Sequence, residues 1–134
     1  MNAKLKRAAL PDAAKLRRLL ADRAGDLVDG ATLVDADAQG ATGVDIMLVD
    51  EAGRPVLVDV VCGSGGDVPT RVFDHADWLE GNRRLFARAY AGVGVVKAED
   101  PRFVFVAPWF PPSTVRAVGA IEGVSVRLIR AESF

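Results

Sequence analysis

The chain has 134 residues, of which 50% are hydrophobic and 26% are charged. This composition allows a buried core and one domain, and it excludes a largely disordered protein. Seventeen Lys and Arg against eighteen Asp and Glu leave a net charge of −1, which excludes a strongly basic nucleic-acid coat protein. No apolar run approaches the ~18 residues of a membrane span, and no apolar stretch near the N-terminus resembles a secretory signal. The lone Cys62 excludes an intrachain disulfide and a Cys-rich zinc site and favours a cytoplasmic location.

Hydrophobic periodicity predicts a single mixed α/β domain over residues 1–134, with elements in the order α-β-β-β-α-β-α-β. Residues 1–30 are predicted to hold an amphipathic helix that starts at Pro11-Asp12 and ends near Gly25. Residues 43–130 form the predicted core. Strands are expected at Ala31–Val34, Gly43–Val49, Pro55–Val61, Phe103–Pro108 and Val124–Ile129, and further helices at Arg71–Ala91 and from Pro111 onward, with Ser113 or Thr114 as a possible cap.

A hairpin is the clearest local prediction. The strands GVDIMLV and PVLVDVV are joined by Asp50–Arg54, where Gly53 suits a position with positive φ. The second strand is apolar almost throughout, so it should lie centrally with both faces covered.

Asp45 and Asp59 interrupt these two apolar strands. An ionised carboxylate inside an apolar strand is costly without compensation. Two of them on paired strands can converge within about 4–6 Å on one hard cation, Mg²⁺ or Mn²⁺. The alternative is that both carboxylates point to solvent from a half-exposed hairpin.

GVDIMLVDEAGRPVLVDVV resembles the core of the PD-(D/E)XK nuclease superfamily, which has the restriction-endonuclease-like fold. The segments HADWLEGNRRLFARAY, PRFVFVAPWFPPSTVRAV and VSVRLIR resemble the helix–strand–helix–strand continuation of its DNA-repair members. The resemblance covers residues 43–130. It implies metal-dependent hydrolysis of DNA phosphodiester bonds, with Asp45 and Asp59 as the catalytic, metal-binding carboxylates.

Val61 stands where the superfamily has a catalytic lysine. Valine cannot polarise the attacking water, and the basic residues that could substitute are Arg71, Arg83, Arg84 and Lys97. The substitution favours an alternative function, in which the domain keeps the fold as a non-catalytic binding or assembly module, with a homo-oligomer as the expected assembly. Retention of both carboxylates favours an active, metal-dependent enzyme.

His75 is the only histidine and follows Asp59 by sixteen positions. Its imidazole could accept a proton, assist a metal or contact phosphate at the candidate site, so we treat it as a third candidate catalytic residue. The alternative is a surface or capping histidine near the start of a helix.

Charge is unevenly distributed along the chain. Residues 1–23 carry +5 (seven basic, two acidic), residues 24–70 carry −8 (one basic, nine acidic) and residues 71–134 carry +2 (nine basic, seven acidic). DNA binding must therefore use local basic groups. The predicted nucleic-acid contacts are Arg83, Arg84 and Arg88 on one helix, aided near the N-terminus by Lys4, Lys6, Arg7, Arg17 and Arg18.

Four aromatic residues could stack on bases or pack in the core, namely Trp78, Tyr90, Trp109 and Phe110. A different enzyme class is suggested by VLVDVVCGSGG, which resembles the nucleotide-binding loop of S-adenosylmethionine-dependent methyltransferases. Its first glycine is replaced by Val61, and the hairpin context does not suit a doubly wound sheet.

Overall fold

The computed structural model describes residues 13–36, 38, 44–61, 65–90, 92, 94 and 100–131, without the side chains of 13–17. The predicted roles of Lys4, Lys6, Arg7, Cys62 and Lys97 therefore lie outside the described residues, as does the side chain of Arg17. The described helices are α1 (Ala13–Asp22), α2 (Ala24–Leu27), α3 (Val68–Gly81), α4 (Arg83–Ala89) and α5 (Pro112–Gly119). The strands are β1 (Thr32–Asp35), β2 (Ile46–Val49), β3 (Pro55–Val60), β4 (Arg102–Ala107) and β5 (Ser125–Arg130).

The five strands form one mixed sheet in the order β1-β2-β3-β4-β5. Strand β2 pairs antiparallel with both β1 and β3, and β4 pairs parallel with both β3 and β5. The sheet and its helices confirm the predicted α/β class.

The turn of the β2–β3 hairpin is held by Asp50. Its Oδ1 accepts the backbone N–H groups of Ala52 and Arg54, each at 2.9 Å, and its Oδ2 accepts Nη1 of Arg102 at 3.2 Å. Gly53 has φ +86°, the left-handed region that glycine enters without a Cβ clash. The turn prediction is confirmed at this glycine.

Two hydrophobic layers cover the sheet, one on each face. Helices α3, α4 and α5 pack on one face, through Val72, Phe86 and Val118 among others. On the other face α1 and α2 contribute Leu20 and Leu27. Since β3 and β4 lie between the two layers, both of their faces are buried, which explains their continuous apolar sequences.

The helices α3, α4 and α5, which connect the parallel strands, lie on the same face of the sheet. A doubly wound sheet places such helices on both faces. The described fold therefore does not match the sheet that the methyltransferase alternative requires.

The helix predicted at Arg71–Ala91 differs from the observed one in two ways. It begins earlier, at Val68, because Pro69 is tolerated in the first turn, where its missing N–H costs nothing. It is also interrupted at Asn82, whose Nδ2 donates to the carbonyl of Trp78 at 2.8 Å. This side-chain bond competes with the helical pattern and separates α3 from α4.

The predicted cap of α5 is wrong. Pro111 occupies the N-cap position without a side-chain hydrogen bond, and Ser113 and Thr114 lie inside the helix. The first-turn proline Pro112 makes a side-chain cap less necessary, because one of the unpaired N–H groups is absent. No described helix is long and apolar enough to cross a bilayer.

Candidate active site

Asp59 lies inside β3, as predicted, and only 5% of its surface is exposed. It stands opposite Phe105 of β4 in the parallel register. Alternation along the strand places Leu57, Asp59 and Val61 on one face, and Leu57 and Val61 belong to the hydrophobic layer under α3. The Asp59 carboxylate therefore points towards α3.

Two donors from α3 meet the Asp59 carboxylate. Oδ2 accepts Nη1 of Arg71 at 3.0 Å and Nε2 of His75 at 2.9 Å. Arg71 and His75 are four residues apart, so they lie on the same face of the helix. Because an ionised carboxylate only accepts, Nε2 of His75 carries the proton in this contact. These three residues form what we call the Asp59 cluster.

The pKa of Asp59 lies below its ordinary value. Burial raises this pKa, but the hydrogen bond and charge of His75, followed by the charge and hydrogen bond of Arg71, lower it further than burial raises it. The carboxylate is therefore ionised at neutral pH, and the neighbouring donors stabilise that ionised form.

His75 is fixed by packing as well as by its hydrogen bond. Its ring lies nearly parallel to Phe103 and Phe105 of β4, with centroid separations of 6.3 and 6.2 Å. The side chain is 14% exposed. His75 is thus neither a capping residue nor a free surface residue, because it lies in the middle of α3 between the sheet and the helix.

Arg71 is anchored by a second carboxylate that sequence reasoning missed. Its Nε donates to Oδ2 of Asp67 at 3.0 Å. Burial lowers the pKa of Arg71, but the contacts with Asp67 and Asp59 raise this pKa by more. The net pKa lies above its ordinary value, so the guanidinium stays charged. The four-residue spacing of Asp67 and Arg71 is a signal that could have indicated this pair.

Asp45 lies immediately before β2, not inside it as predicted. Its backbone N–H donates to the carbonyl of Val58 at 3.1 Å, and its Oδ2 accepts the N–H of Val60 at 2.7 Å. The carboxylate takes the place of a backbone carbonyl where regular pairing with β3 stops. The structure thus brings Asp45 beside β3, and the predicted 4–6 Å separation of the two carboxylates stays a prediction.

Replacing Asp45 by alanine should lower the free energy of unfolding by about 1–3 kcal/mol, because the buried N–H of Val60 would lose its acceptor. Asp45→Asn keeps an acceptor oxygen and should lose less. Urea unfolding followed by circular dichroism measures both variants. An Asp45→Ala variant as stable as the wild type would show that the hydrogen bond to Val60 contributes nothing.

Val61, where the resemblance noted from the sequence would place a lysine, is a core residue. It is 4% exposed, and its N–H donates to the carbonyl of Val106 in β4 at 2.8 Å. No basic side chain occupies this position. The basic group that reaches Asp59 comes instead from α3, through Arg71.

No protein-family model matches this chain, and no curated protein matches it. Among solved structures it is similar to EndoMS in apo form, with a TM-score of 0.56 and 16% identity over 90% of this chain. A repair endonuclease from Pyrococcus abyssi gives 0.55 and 15% over 91%. The EndoMS–dsDNA2 complex gives 0.53 and 16% over 88%. The chain has a restriction-endonuclease-like fold. It spans 44–48% of the length of these three proteins.

The described side chains of this nuclease-like fold do not fit a divalent cation as they stand. Among the described residues there is no group of three or more His, Cys, Asp and Glu side chains that could hold a metal. Asp59 Oδ2 already accepts from a guanidinium and an imidazole N–H. A cation at Asp59 would have to displace these donors or share the carboxylate with a charged arginine.

The three arginines predicted to contact nucleic acid, Arg83, Arg84 and Arg88, form a basic stripe on α4 and are exposed. Nη2 of Arg83 is bound to Oε1 of Glu80 at 2.6 Å, whereas Arg84 and Arg88 form no ion pair with any described residue. Arg84 and Arg88 are one turn apart and remain available for phosphates. The structure does not bring this stripe into contact with the Asp59 cluster.

The four aromatic residues that could stack on bases differ in how deeply the fold buries them. Phe110 and Tyr90 are buried, and the Tyr90 hydroxyl donates to Oδ2 of Asp35 at 2.9 Å. Trp78 is half-buried against the core. Trp109 is 50% exposed. Of the four, only Trp109 presents a largely free ring to solvent.

Proposed function

We propose that this chain is a DNA-binding domain of nuclease fold that does not hydrolyse DNA. The observation that carries the proposal is the Asp59 cluster, in which one carboxylate oxygen accepts from both Arg71 and His75. Val61 supports it further, because the position that would hold the catalytic lysine lies in the core. The domain would keep the fold of a nuclease as a binding or assembly module.

Competition at Asp59 gives this proposal its energetic basis. Hydrogen bonds to charged groups contribute about 1.5–3 kcal/mol each. If a cation had to displace one of the two donors, its affinity for the site would be roughly 10- to 150-fold lower than for a pair of carboxylates without such donors. Arg71 also opposes a cation by its own charge.

DNA is the partner that the neighbours favour, since one of them is described as a complex with double-stranded DNA. Arg84 and Arg88 are exposed and form no ion pair within the described part of the chain, so they suit contacts with the phosphate backbone. With a net charge of −1, such binding would be weak and dependent on salt.

The alternative is a metal-dependent endonuclease of the PD-(D/E)XK superfamily, in which Asp45 and Asp59 hold Mg²⁺ or Mn²⁺. It is favoured by the retention of both carboxylates at adjacent strands. It requires that Asp59 exchange its bonds with Arg71 and His75 for bonds to the cation, and no step of that reaction follows from the described contacts.

Fluorescence anisotropy of a short labelled DNA duplex should detect binding at ~50 mM salt, falling steeply at ~200 mM, because phosphate contacts release counterions. A millimolar concentration of a divalent cation should change the affinity for DNA only by the amount that the added ionic strength explains. The double variant Arg84→Ala, Arg88→Ala should bind more weakly. Arg127→Ala, an exposed arginine on β5, is the matched control.

Three results would contradict the proposal. Absence of binding at low salt would remove DNA as the partner. Cleavage of plasmid DNA that depends on Mg²⁺ or Mn²⁺, and is lost in Asp59→Asn, would establish the endonuclease alternative. Calorimetric binding of Mn²⁺ to the wild type that is lost in Asp59→Asn would show that the Asp59 cluster opens for a cation.

A further inference from the structure

We infer that Trp109 is a stacking platform for an unpaired nucleobase, placed at the edge of the sheet where the Asp59 cluster also lies. This inference rests on the proposed DNA binding and names the part of the ligand that this edge takes. The indole is 50% exposed, although large aromatic side chains usually bury more of their surface.

The support beneath Trp109 is rigid. The neighbouring Phe110 is 8% exposed and packs against Gly65, where an added Cβ would lie 2.7 Å from Cδ1 of Phe110. The same Cβ would lie 3.0 Å from the carbonyl oxygen of Trp109. Pro111 and Pro112 follow and restrict the backbone further. The indole is thus presented by a main chain that is held on both sides, which reduces the entropy lost when a ligand stacks on it.

The position of Trp109 is that of a ligand site in this class of sheet. Trp109 follows β4, and Gly65 follows β3, and these strands run parallel. Their carboxyl ends therefore meet at one edge, where open α/β sheets bind ligands. The loop at Gly65 leads into α3, whose Arg71 and His75 hold Asp59.

The charges immediately around Arg71 favour a base over a phosphate. The Arg71 guanidinium is shared between Asp59 of the cluster and the adjacent Asp67, so two carboxylates contact one permanent cation here. An anionic phosphate gains little from such a balance. The face of a nucleobase is uncharged and stacks on indole without a cationic partner. Bases in a duplex are already stacked on each other, so an unpaired base is the ligand that fits.

The inference can be tested by fluorescence, because the chain has two tryptophans. In a Trp78→Phe background, Trp109 is the sole indole. Titration with an oligothymidylate of about 12 nucleotides should quench its emission, and a duplex of equal length should quench it less. Trp109→Ala should weaken single-strand binding about 10-fold, whereas Trp109→Phe should keep most of the affinity.

Phe73→Ala is the matched control, since Phe73 is an exposed aromatic residue, 59% accessible, on α3. It should leave single-strand affinity unchanged. If DNA binds by anisotropy while Trp109 emission and Trp109→Ala affinity do not change, the inference fails and the proposed function stands. If Trp109→Ala instead alters the oligomeric state without altering DNA affinity, Trp109 belongs to a protein interface and the inference also fails. Absence of any DNA binding overturns both.

Discussion

Asp59→Ala should lower the free energy of unfolding by about 3 kcal/mol, one of the two largest effects expected for a single substitution at this site. Removing the carboxylate leaves Arg71 and His75 without their shared acceptor beneath α3. The pKa of Asp59 is lowered in the folded protein, so the bonds to its ionised form outweigh the cost of burying it. The loss of stability should stay near the lower end of the range for breaking a buried ion pair, because the Arg71 side chain is 38% exposed and water can hydrate it.

Lowering the pH should remove the contribution that the ionised Asp59 carboxylate makes to the free energy of unfolding. Because the folded pKa of Asp59 lies below its ordinary value of 3.8, its stabilising effect is present above that pH. It is lost as the pH falls through the folded pKa. The stability difference between wild type and Asp59→Asn should therefore be largest near neutral pH and shrink below about pH 4.

Urea unfolding at pH 7 and at about pH 3 measures this difference. Asp74→Asn is the matched control, because Asp74 is an exposed carboxylate on the outer side of α3, and its effect should stay within about 0.5 kcal/mol. An Asp59→Ala protein as stable as the wild type at pH 7 would show that the Asp59 cluster adds no stability.

Gly65→Ala should lower the free energy of unfolding by about 2–3 kcal/mol. Gly65 has φ +74°, where a residue with a Cβ is strained by roughly 1–2 kcal/mol. The added methyl would also lie 2.7 Å from Phe110 and 3.0 Å from a backbone oxygen, so the loop after β4 must move. Thermal or urea unfolding gives the loss of stability, and Trp109 emission reports the displaced loop.

Gly119→Ala is the control for the change from glycine to alanine. Gly119 ends α5 without a positive φ, and an added Cβ there meets nothing within 4 Å. Alanine favours the helical backbone, so this variant should be unchanged or more stable by up to about 1 kcal/mol. A Gly65→Ala variant that behaves like Gly119→Ala would show that the two loops can separate freely, and Trp109 would lose its rigid support.

Local patterns in the sequence predicted most elements of the fold because those elements depend on neighbouring residues. The hairpin followed from two apolar runs around a turn with Gly53, and the central place of β3 followed from its apolar residues on both faces. The boundaries that were missed depend on single side chains. Asn82 breaks the long helix through a bond to Trp78, and Asp45 ends the pairing of β2 by bonding Val60.

The candidate site also has features that follow from the sequence and features that depend on the tertiary structure. The sequence by itself determined that Asp45 and Asp59 are carboxylates in apolar surroundings, and the family resemblance placed Val61 where a lysine is expected. Only the tertiary structure decided that Arg71 and His75 share Oδ2 of Asp59, since that contact depends on how α3 is rotated above β3.

The neighbouring aromatics Trp109 and Phe110 make the distinction clearest. They are adjacent and chemically alike, and no pattern in the sequence says which one is buried. Packing of the loop at Gly65 takes Phe110 into the core and leaves the indole of Trp109 in solvent. Composition and periodicity determine which residues are able to bury their side chains, whereas the close approach of two loops distant in sequence determines which of them does.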